Sequence, residues 1–486
     1  MDKELIPYLQ SLNGILANIS NLEVKNEMLA MQIELARHLI DLLIVKTNIA
    51  PFLSNDCISS LPEIINKTEK ILPVSKSKTF LLRELKKINE PNSNSYNKFL
   101  EISGKLQIEL IKVNSNEALE LSKQIFRIEA DYSKNFLSAV LTQNKLEDTN
   151  NDISSARNTR SFKTQDLVTF IQDTFQKDGN TEIIDTKFIT GGYSKFTMDI
   201  HLIKTTTLPK NIILRADADG EFGGMSVVDE YQLLDTVYQN GVSAPKPFAI
   251  NKNHNIFGTP FMLMEKIPGE CIGHMYNIPP INSDNLVLDI ATKLSSIHGI
   301  PIKMFHNKTN GANCSSSQMA LEWISSSEAM WLPLNLPSPA FTTAFEWLKQ
   351  NTKLYDNGPR SLVHGDYGLN NLLIKDEYVT GILDWEHAHI GNPSYDLGYF
   401  HPMAEKLSSW QKFLDAYANT GISMPNEDQI NFSILFGAIR VGVMVCQVRS
   451  AFINNHETGI AATIGVADDY YDMAVTRISS ALENVL

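Results

Sequence analysis

"LVHGDYGLNNLLIKDEYVTGILDWEHAHIGNPSYDLGYF", residues 362–400, sets six Asp and Glu, three His and two adjacent Asn between short apolar runs. Carboxylates that close to core-forming residues are costly to bury unless they are partnered or put to use. The apolar flanks "LV", "LLI" and "GIL" read as short strands that carry Asp366 and Asp384 into a cleft. His364, beside Asp366, reads as a hydrogen-bonding residue that orders the loop. "HAH" (His387 and His389) resembles a metal pair, but with no third ligand nearby it reads as structural.

Phosphoryl transfer needs a carboxylate near the attacking hydroxyl, oxygen ligands for Mg²⁺ and donors around the phosphates. The stretch offers these parts in order. Asp366 stands five residues before Asn371, a D-x-x-x-x-N spacing that pairs a base with a metal-binding amide. Asp384 follows a second apolar run. Mg²⁺ prefers hard oxygen ligands and keeps several waters, so one carboxylate and one amide oxygen suffice when nucleotide phosphates complete the shell.

Upstream of this stretch the chain changes style twice. From residue 1 to about 146 apolar residues recur every three or four positions, as in Leu5, Leu9, Leu12, Leu16 and Ile19, and predict helices throughout. "EPNSNSYN" (90–97) breaks one helix from the next, and no catalytic residue types gather here. The region reads as an all-helical N-terminal domain, a packing module or the interface of a homodimer. Residues 147–162, "EDTNNDISSARNTRSF", carry turn formers and few core formers, the signature of an exposed linker. A chain beginning near residue 155 is therefore expected to fold alone.

Beyond the linker, "TEIIDTKFIT", "KFTMDIHLI", "NIILRA", "PKPFAI" and "PFMLMEKI" predict short antiparallel strands, with one helix over "VVDEYQLLDTVYQN". Helical patterns return after about residue 271 in "NLVLDIATKLSSIHGI", "FTTAFEWLKQ" and "ILFGAIRVGVMVCQVRSAF". The reading is an α+β chain: a helical domain at 1–146, a linker at 147–162, and a two-lobed domain at 163–486, with a sheet lobe at 163–266 and a helical lobe at 267–486. Such lobes bind ligands in the cleft between them.

Composition narrows the classes. The 486 residues are 43% hydrophobic and 20% charged, as in folded soluble proteins. Residues 1–150 carry 18 Lys and Arg against 19 Asp and Glu, so nearly all of the net charge of −13 lies beyond them. That field repels nucleic acid and acidic membrane and attracts cations. The start "MDKELIPYLQSLNGILANIS" lacks a signal-peptide pattern, and "LARHLIDLLIV" is interrupted by Arg37, His38 and Asp41, which predicts a cytoplasmic, non-membrane protein. Cys57, Cys271, Cys314 and Cys446 are too scattered for a zinc knuckle or disulfide framework.

Over roughly residues 165–486 the sequence resembles the aminoglycoside phosphotransferase and choline kinase-like family, small-molecule kinases with a protein-kinase-like fold. "VHGDYGLNNLLI" matches its H-G-D-x-x-x-x-N-L-L loop, "GILDWE" its metal-binding segment and "GNPSYDLG" its G-D-P-x-x-D-L-A run. The wording "ILDWEHAHIGNPSYDLG" is most similar to the branch found beside or fused to acyl-CoA dehydrogenases.

The resemblance implies a site residue by residue. Asp366 is the catalytic carboxylate, and Asn371 and Asp384 hold Mg²⁺. "TGGYSKFTMDI" is similar to the family's Gly-rich loop, where Gly191, Gly192 and Ser194 let backbone approach the ATP phosphates. Arg215 stands where the family has its phosphate-contacting lysine, Glu230 is its ion-pair partner, and the backbone of Glu265, Lys266 and Ile267 forms the adenine-facing hinge. Arg for Lys is a departure, since the two are not interchangeable at a geometric site. Lys195 replaces an Asn of the Gly-rich loop, and Asn392 replaces the Asp of G-D-P. Asp396, retained, is expected to be a buried support of the catalytic loop. The implied activity is ATP- and Mg²⁺-dependent transfer of phosphate to a hydroxylated small molecule. The alternatives are a nucleotide-binding pseudokinase scaffold and an aminoglycoside-resistance kinase.

Overall fold

In the computed structural model, residues 55–88, 93–144, 163–189, 195–217, 224–273, 278, 281–305, 314–453 and 468–486 are described. The periodic segment before residue 55 and the linker at 147–162 lie outside them. The chain divides into two compact units. One comprises residues 154–319 and 355–433, the other 1–153, 320–354 and 434–486.

The first unit opens with helix Thr164–Thr174 and a five-stranded sheet of β1 (Glu182–Ile189), β2 (Lys195–Ile203), β3 (Asn211–Asp217), β4 (Pro247–Asn251) and β5 (Phe261–Glu265). Their order is β1-β2-β3-β5-β4, every pair antiparallel. Strict alternation sorts the residues of β2 and β3 onto two faces. Met198, Ile200, Leu202, Ile212, Leu214 and Ala216 are buried on one face against Leu167 and Ile171 of the first helix. Each large apolar side chain placed there stabilises the lobe by about 1.5–3 kcal/mol. The register pairs Lys195 with Asp217 and Thr197 with Arg215, so the opposite face carries the charge.

Helix Val227–Gln239 lies between β3 and β4 in sequence. Ser226 caps it by accepting from the Asp229 N–H at 3.2 Å. Helix Asp284–His298 follows the sheet, then β6 (Ser361–Val363), β7 (Leu372–Lys375), β8 (Tyr378–Ile382), β9 (His389–Gly391) and helices Ser394–Leu407 and Trp410–Ala418. β6 pairs with β9 and β7 with β8, each antiparallel. The β7–β8 hairpin turns on Asp376 and Glu377, both at positive φ, the backbone that a two-residue turn of matching twist requires. Strand and helix expectations for 181–267 and 362–383 therefore hold to within a few residues.

The second unit is helical in its described residues. Helices Asn55–Ile71, Lys76–Leu85, Ser93–Val113 and Asn116–Asn144 share a core that includes Leu61, Ile64, Leu85, Phe99, Leu110 and Ile125. Helix Ser93–Val113 packs on Pro339–Asn351, and Asn116–Asn144 on Asp468–Val485. The expectation of a separate helical domain ending at 146, followed by an undivided helical lobe over 267–486, differs from this grouping. The reason is burial: Leu106, Leu121 and Phe126 on one side and Phe341, Leu348, Val475 and Leu482 on the other are all interior. Amphipathic periodicity shows that a helix has an apolar face, not which distant helix covers it. Within helix Glu427–Ile453, the stretch Glu427–Val448 is long and apolar enough to cross a membrane, but 72% of it is buried inside the protein.

Candidate active site

β6 ends at Val363 and the chain turns through His364, Gly365 and Asp366 before β7 begins. Gly365 has φ +84°, and a Cβ there would meet the His387 carbonyl oxygen at 2.2 Å, so only glycine fits. The loop is anchored from beneath by Asp396, which is fully buried. Its carboxylate accepts from the His364 N–H at 2.7 Å, the Gly365 N–H at 2.9 Å and His298 Nε2 at 3.1 Å. Burial alone would raise its carboxyl, but the His298 hydrogen bond and charge, with the loop amides, hold it below its usual value. Asp396 is the buried support that the sequence implied.

His364 is itself fully buried. The tautomer that satisfies both ring nitrogens donates from Nε2 to the Leu383 carbonyl (3.0 Å) and accepts the Asp366 N–H at Nδ1 (3.3 Å). Burial lowers its pKa against the pull of nearby carboxylates, so it stays neutral. The loop-ordering reading of His364 is the one that the geometry supports.

Asp366 is half-buried, so the residue keeps some exposure to solvent. Asn371 Nδ2 donates to the Asp366 carboxylate Oδ2 at 2.7 Å and to its carbonyl at 2.9 Å. With both contacts on the amide nitrogen, the Asn371 amide oxygen is turned away from Asp366. The Leu383 N–H donates to the Asn371 carbonyl at 2.8 Å, tying this loop to the segment that carries Asp384.

Asp384 follows β8 at φ +65°, a left-handed backbone that non-glycine residues adopt only when their surroundings hold them. Trp385 supplies one such hold: it is buried, and its Nε1 donates to the Ile382 carbonyl at 3.0 Å. Arg215, on the charged face of β3, donates from Nε to Glu230 at 3.1 Å and from an η nitrogen to Asp384 Oδ1. Burial works against the guanidinium charge, but the flanking carboxylates outweigh it and raise its pKa further. The Asp384 carboxyl, pushed up by burial, is pulled below its usual value by Arg215. Arg215 contacts Glu230 and Asp384, Asn371 contacts Asp366, and the Leu383 N–H bond to the Asn371 carbonyl ties the two groups together.

The remaining implied residues divide. Gly191, Gly192 and Ser194 lie outside the described residues. Glu265 closes β5, its N–H donating to the Lys246 carbonyl at 2.9 Å. Lys266 reaches out to Asp199 at 2.5 Å. The Ile267 side chain lies against β8, where a Cβ on Gly381 would come within 3.0 Å of it. Asn392 is buried, accepting the Ser394 N–H at 3.0 Å and donating to the Tyr355 carbonyl at 3.3 Å, so an amide serves where the family has Asp.

Three residues escaped the sequence reading. His298 is the first; it closes an apolar helix, and a lone histidine there carries no pattern. It links Asp396 to Tyr417, whose hydroxyl lies 2.7 Å from Nδ1. The others are Lys195, read only as a departure, and Glu386, which lies 3.3 Å from it.

The Asp384 carboxylate and the Asn371 amide oxygen are donors of the kind that Mg²⁺ accepts. No group of three or more His, Cys, Asp or Glu among the described residues could hold a metal ion, whereas one carboxylate and one amide oxygen are hard ligands suited to Mg²⁺.

The chain is similar to known proteins in sequence and in fold. The model of the phosphotransferase enzyme family, APH, matches residues 223–429. Acyl-CoA dehydrogenase family member 11 from Pongo abelii is 26% identical over 176 residues, covering 35% of this chain and 22% of that protein. Its Homo sapiens counterpart is 27% identical over 177 residues, with the same shares. The chain thus spans less than a quarter of the length of these relatives. Among solved structures, a Ralstonia eutropha JMP134 protein assigned to the aminoglycoside phosphotransferases aligns with TM-score 0.53 and 17% identity, over 66% of this chain and 99% of that one. Over about two thirds of its length the chain therefore has the protein-kinase-like fold of the aminoglycoside phosphotransferases, and the dehydrogenase-named relatives match the branch its wording resembles.

Proposed function

We propose that this chain, a phosphotransferase-family protein over residues 223–429, is an ATP- and Mg²⁺-dependent kinase that phosphorylates a hydroxyl group on a small molecule. One observation carries the reading: Asn371 grips the Asp366 carboxylate while Arg215 joins Glu230 to Asp384. Phosphoryl transfer is mostly positioning and charge stabilisation, and this constellation supplies both.

Asp366, partly exposed and oriented by Asn371, accepts the proton of the acceptor hydroxyl or aligns it for attack. The Asn371 amide oxygen and the Asp384 carboxylate are the ligands for Mg²⁺, which when bound neutralises phosphate charge. Arg215 has five N–H donors, of which the two carboxylates use part, and the rest suit a phosphate. Glu230 fixes the guanidinium so that it needs no reorganisation. At the hinge the Glu265 N–H is already bonded to Lys246, so the adenine edge falls to its carbonyl and the backbone of Lys266 and Ile267. The pairing of Asp366 with Asn371, and of Arg215 with Glu230 and Asp384, supports turnover over a pseudokinase scaffold.

A screen of ATP consumption over hydroxyacyl thioesters, choline-like alcohols, sugars and aminoglycosides tests the reading. Mg²⁺-dependent turnover with one class is expected. Nucleotide binding without turnover on any hydroxylated acceptor would favour the scaffold, and absence of nucleotide binding would remove the proposal.

A further inference from the structure

Lys195 is the position where the Gly-rich segment departs from the family pattern, and its surroundings give the departure a use. The β2–β3 register sets it opposite Asp217 and two pairs along from Thr197 and Arg215. Both cations therefore lie on the same face of the sheet. They are employed differently. The Lys195 ammonium lies 2.9 Å from Asp217 Oδ1, 2.6 Å from the Met225 carbonyl and 3.3 Å from Glu386 Oε2. An ammonium has three N–H donors, and three acceptors surround this one. Two hydrogen bonds, to Asp217 and the Met225 carbonyl, and a buried ion pair with Glu386 tie it to protein groups.

What the lysine grips is the metal-side segment. Glu386, two residues past Asp384, is buried and held from a second direction, because the Met225 N–H donates to its carbonyl at 2.8 Å. Gly224 completes the enclosure: at φ +127°, a Cβ there would come within 2.9 Å of Glu386 Oε2. On its other side Asp217 Oδ1 accepts the Val227 N–H at 3.0 Å, the start of the helix that carries Glu230. One buried ammonium thus joins β2, the beginning of the Glu230 helix and the residue that follows Asp384 and Trp385. The left-handed backbone of Asp384 needs such outside support.

We propose that Lys195 is a positioning residue for metal binding: through Glu386 it holds Asp384 at the charged face of the sheet, without touching nucleotide. This rests on Asp384 being a metal ligand, as proposed above. The asparagine of the family pattern, shorter and uncharged, could not make this bridge.

The test uses the full chain with Lys195→Asn, Lys195→Met and the nearly isosteric Glu386→Gln, whose shape keeps folding out of question. Calorimetry measures ADP affinity in EDTA and across a Mg²⁺ titration. All three variants should need about tenfold more Mg²⁺ for the same ADP affinity, the usual scale for losing a residue that orients a metal ligand. Their affinity in EDTA should stay within about twofold of wild type. An unchanged Mg²⁺ requirement in Glu386→Gln overturns the proposal. So does an equal loss with and without Mg²⁺ in Lys195→Asn, which would mean that the lysine touches phosphate directly. Amide exchange of the ligand-free chain is the second readout. The Met225 and Ala388 N–H groups, bonded to Glu386 and Trp385 carbonyls, should exchange faster in the variants. If wild type binds no ADP at all, the kinase reading fails, and unaltered exchange at these amides would dismiss the bridge as well.

Discussion

Asp366 and Arg215 are the two side chains on which the proposed chemistry turns, and they fail differently when changed. Asp366→Asn keeps the loop backbone, its Gly365 turn and the Asp396 anchor, so the fold and nucleotide affinity should persist. Turnover should fall by about 10²–10⁴, the range for losing a positioned acid–base group. Steady-state kinetics beside calorimetry checks this, and wild-type turnover would remove Asp366 from its role. Arg215→Met is a stability experiment. It leaves Glu230, only 2% exposed, without its cation, and breaking a buried pair from one side costs about 3–5 kcal/mol. Denaturant unfolding should show that loss. A change under about 1 kcal/mol would mean that Glu230 takes a proton and tolerates the apolar neighbour.

At the scale of single elements, the start of helix Pro339–Asn351 has an unusual cap. Ser338 accepts the Phe341 N–H at 3.2 Å, and Glu129, from helix Asn116–Asn144, accepts the Ala340 N–H at 2.8 Å. A carboxylate suits a helix N-terminus, yet burial wins and raises the Glu129 pKa from 4.5 to about 7. The folded state therefore binds this proton more tightly than the unfolded state. Its contribution to stability is fully present below about pH 4.5, falls as pH rises through the window from 4.5 to 7 and is level above it. Across that window the loss is up to roughly 3 kcal/mol, at 1.4 kcal/mol per unit. Glu129→Gln keeps the acceptor oxygen and removes the titration. The stability difference, variant minus wild type, should rise between pH 5 and 7.5. A flat difference would show that the Glu129 pKa is not raised.

For the whole molecule, the consequence lies in how the helical unit is assembled. Helices Pro339–Asn351 and Asp468–Val485 pack against helices Ser93–Val113 and Asn116–Asn144. A chain begun at residue 155 loses those partners and the Glu129 cap, and lays bare Phe341, Leu348, Val475 and Leu482, all buried in the intact chain. At about 1.5–3 kcal/mol per large apolar side chain, that exposure rivals the whole stability of a domain. Such a chain should aggregate or lose its cooperative melt, seen by light scattering and calorimetry. A soluble truncation melting at the full-length temperature would restore the self-contained module that the linker composition suggests.

Sequence alone determined whatever is local. Alternation in "KFTMDIHLI" and "NIILRA" fixed both the strands and the residues that share a face, since side-chain direction has period two. Asp366, Asn371 and Asp384 were legible as candidates because residue type and spacing inside one short stretch single them out. The support beneath them was not. His298 lies 98 residues from Asp396, and Lys195 lies far along the chain from Glu386, so neither spacing nor periodicity joins them. The same holds for the helices of 93–144, whose apolar faces were evident but whose partners over 339–351 and 468–485 were not. Burial and buried charge pairing depend on which surfaces meet, and only the tertiary structure decides that.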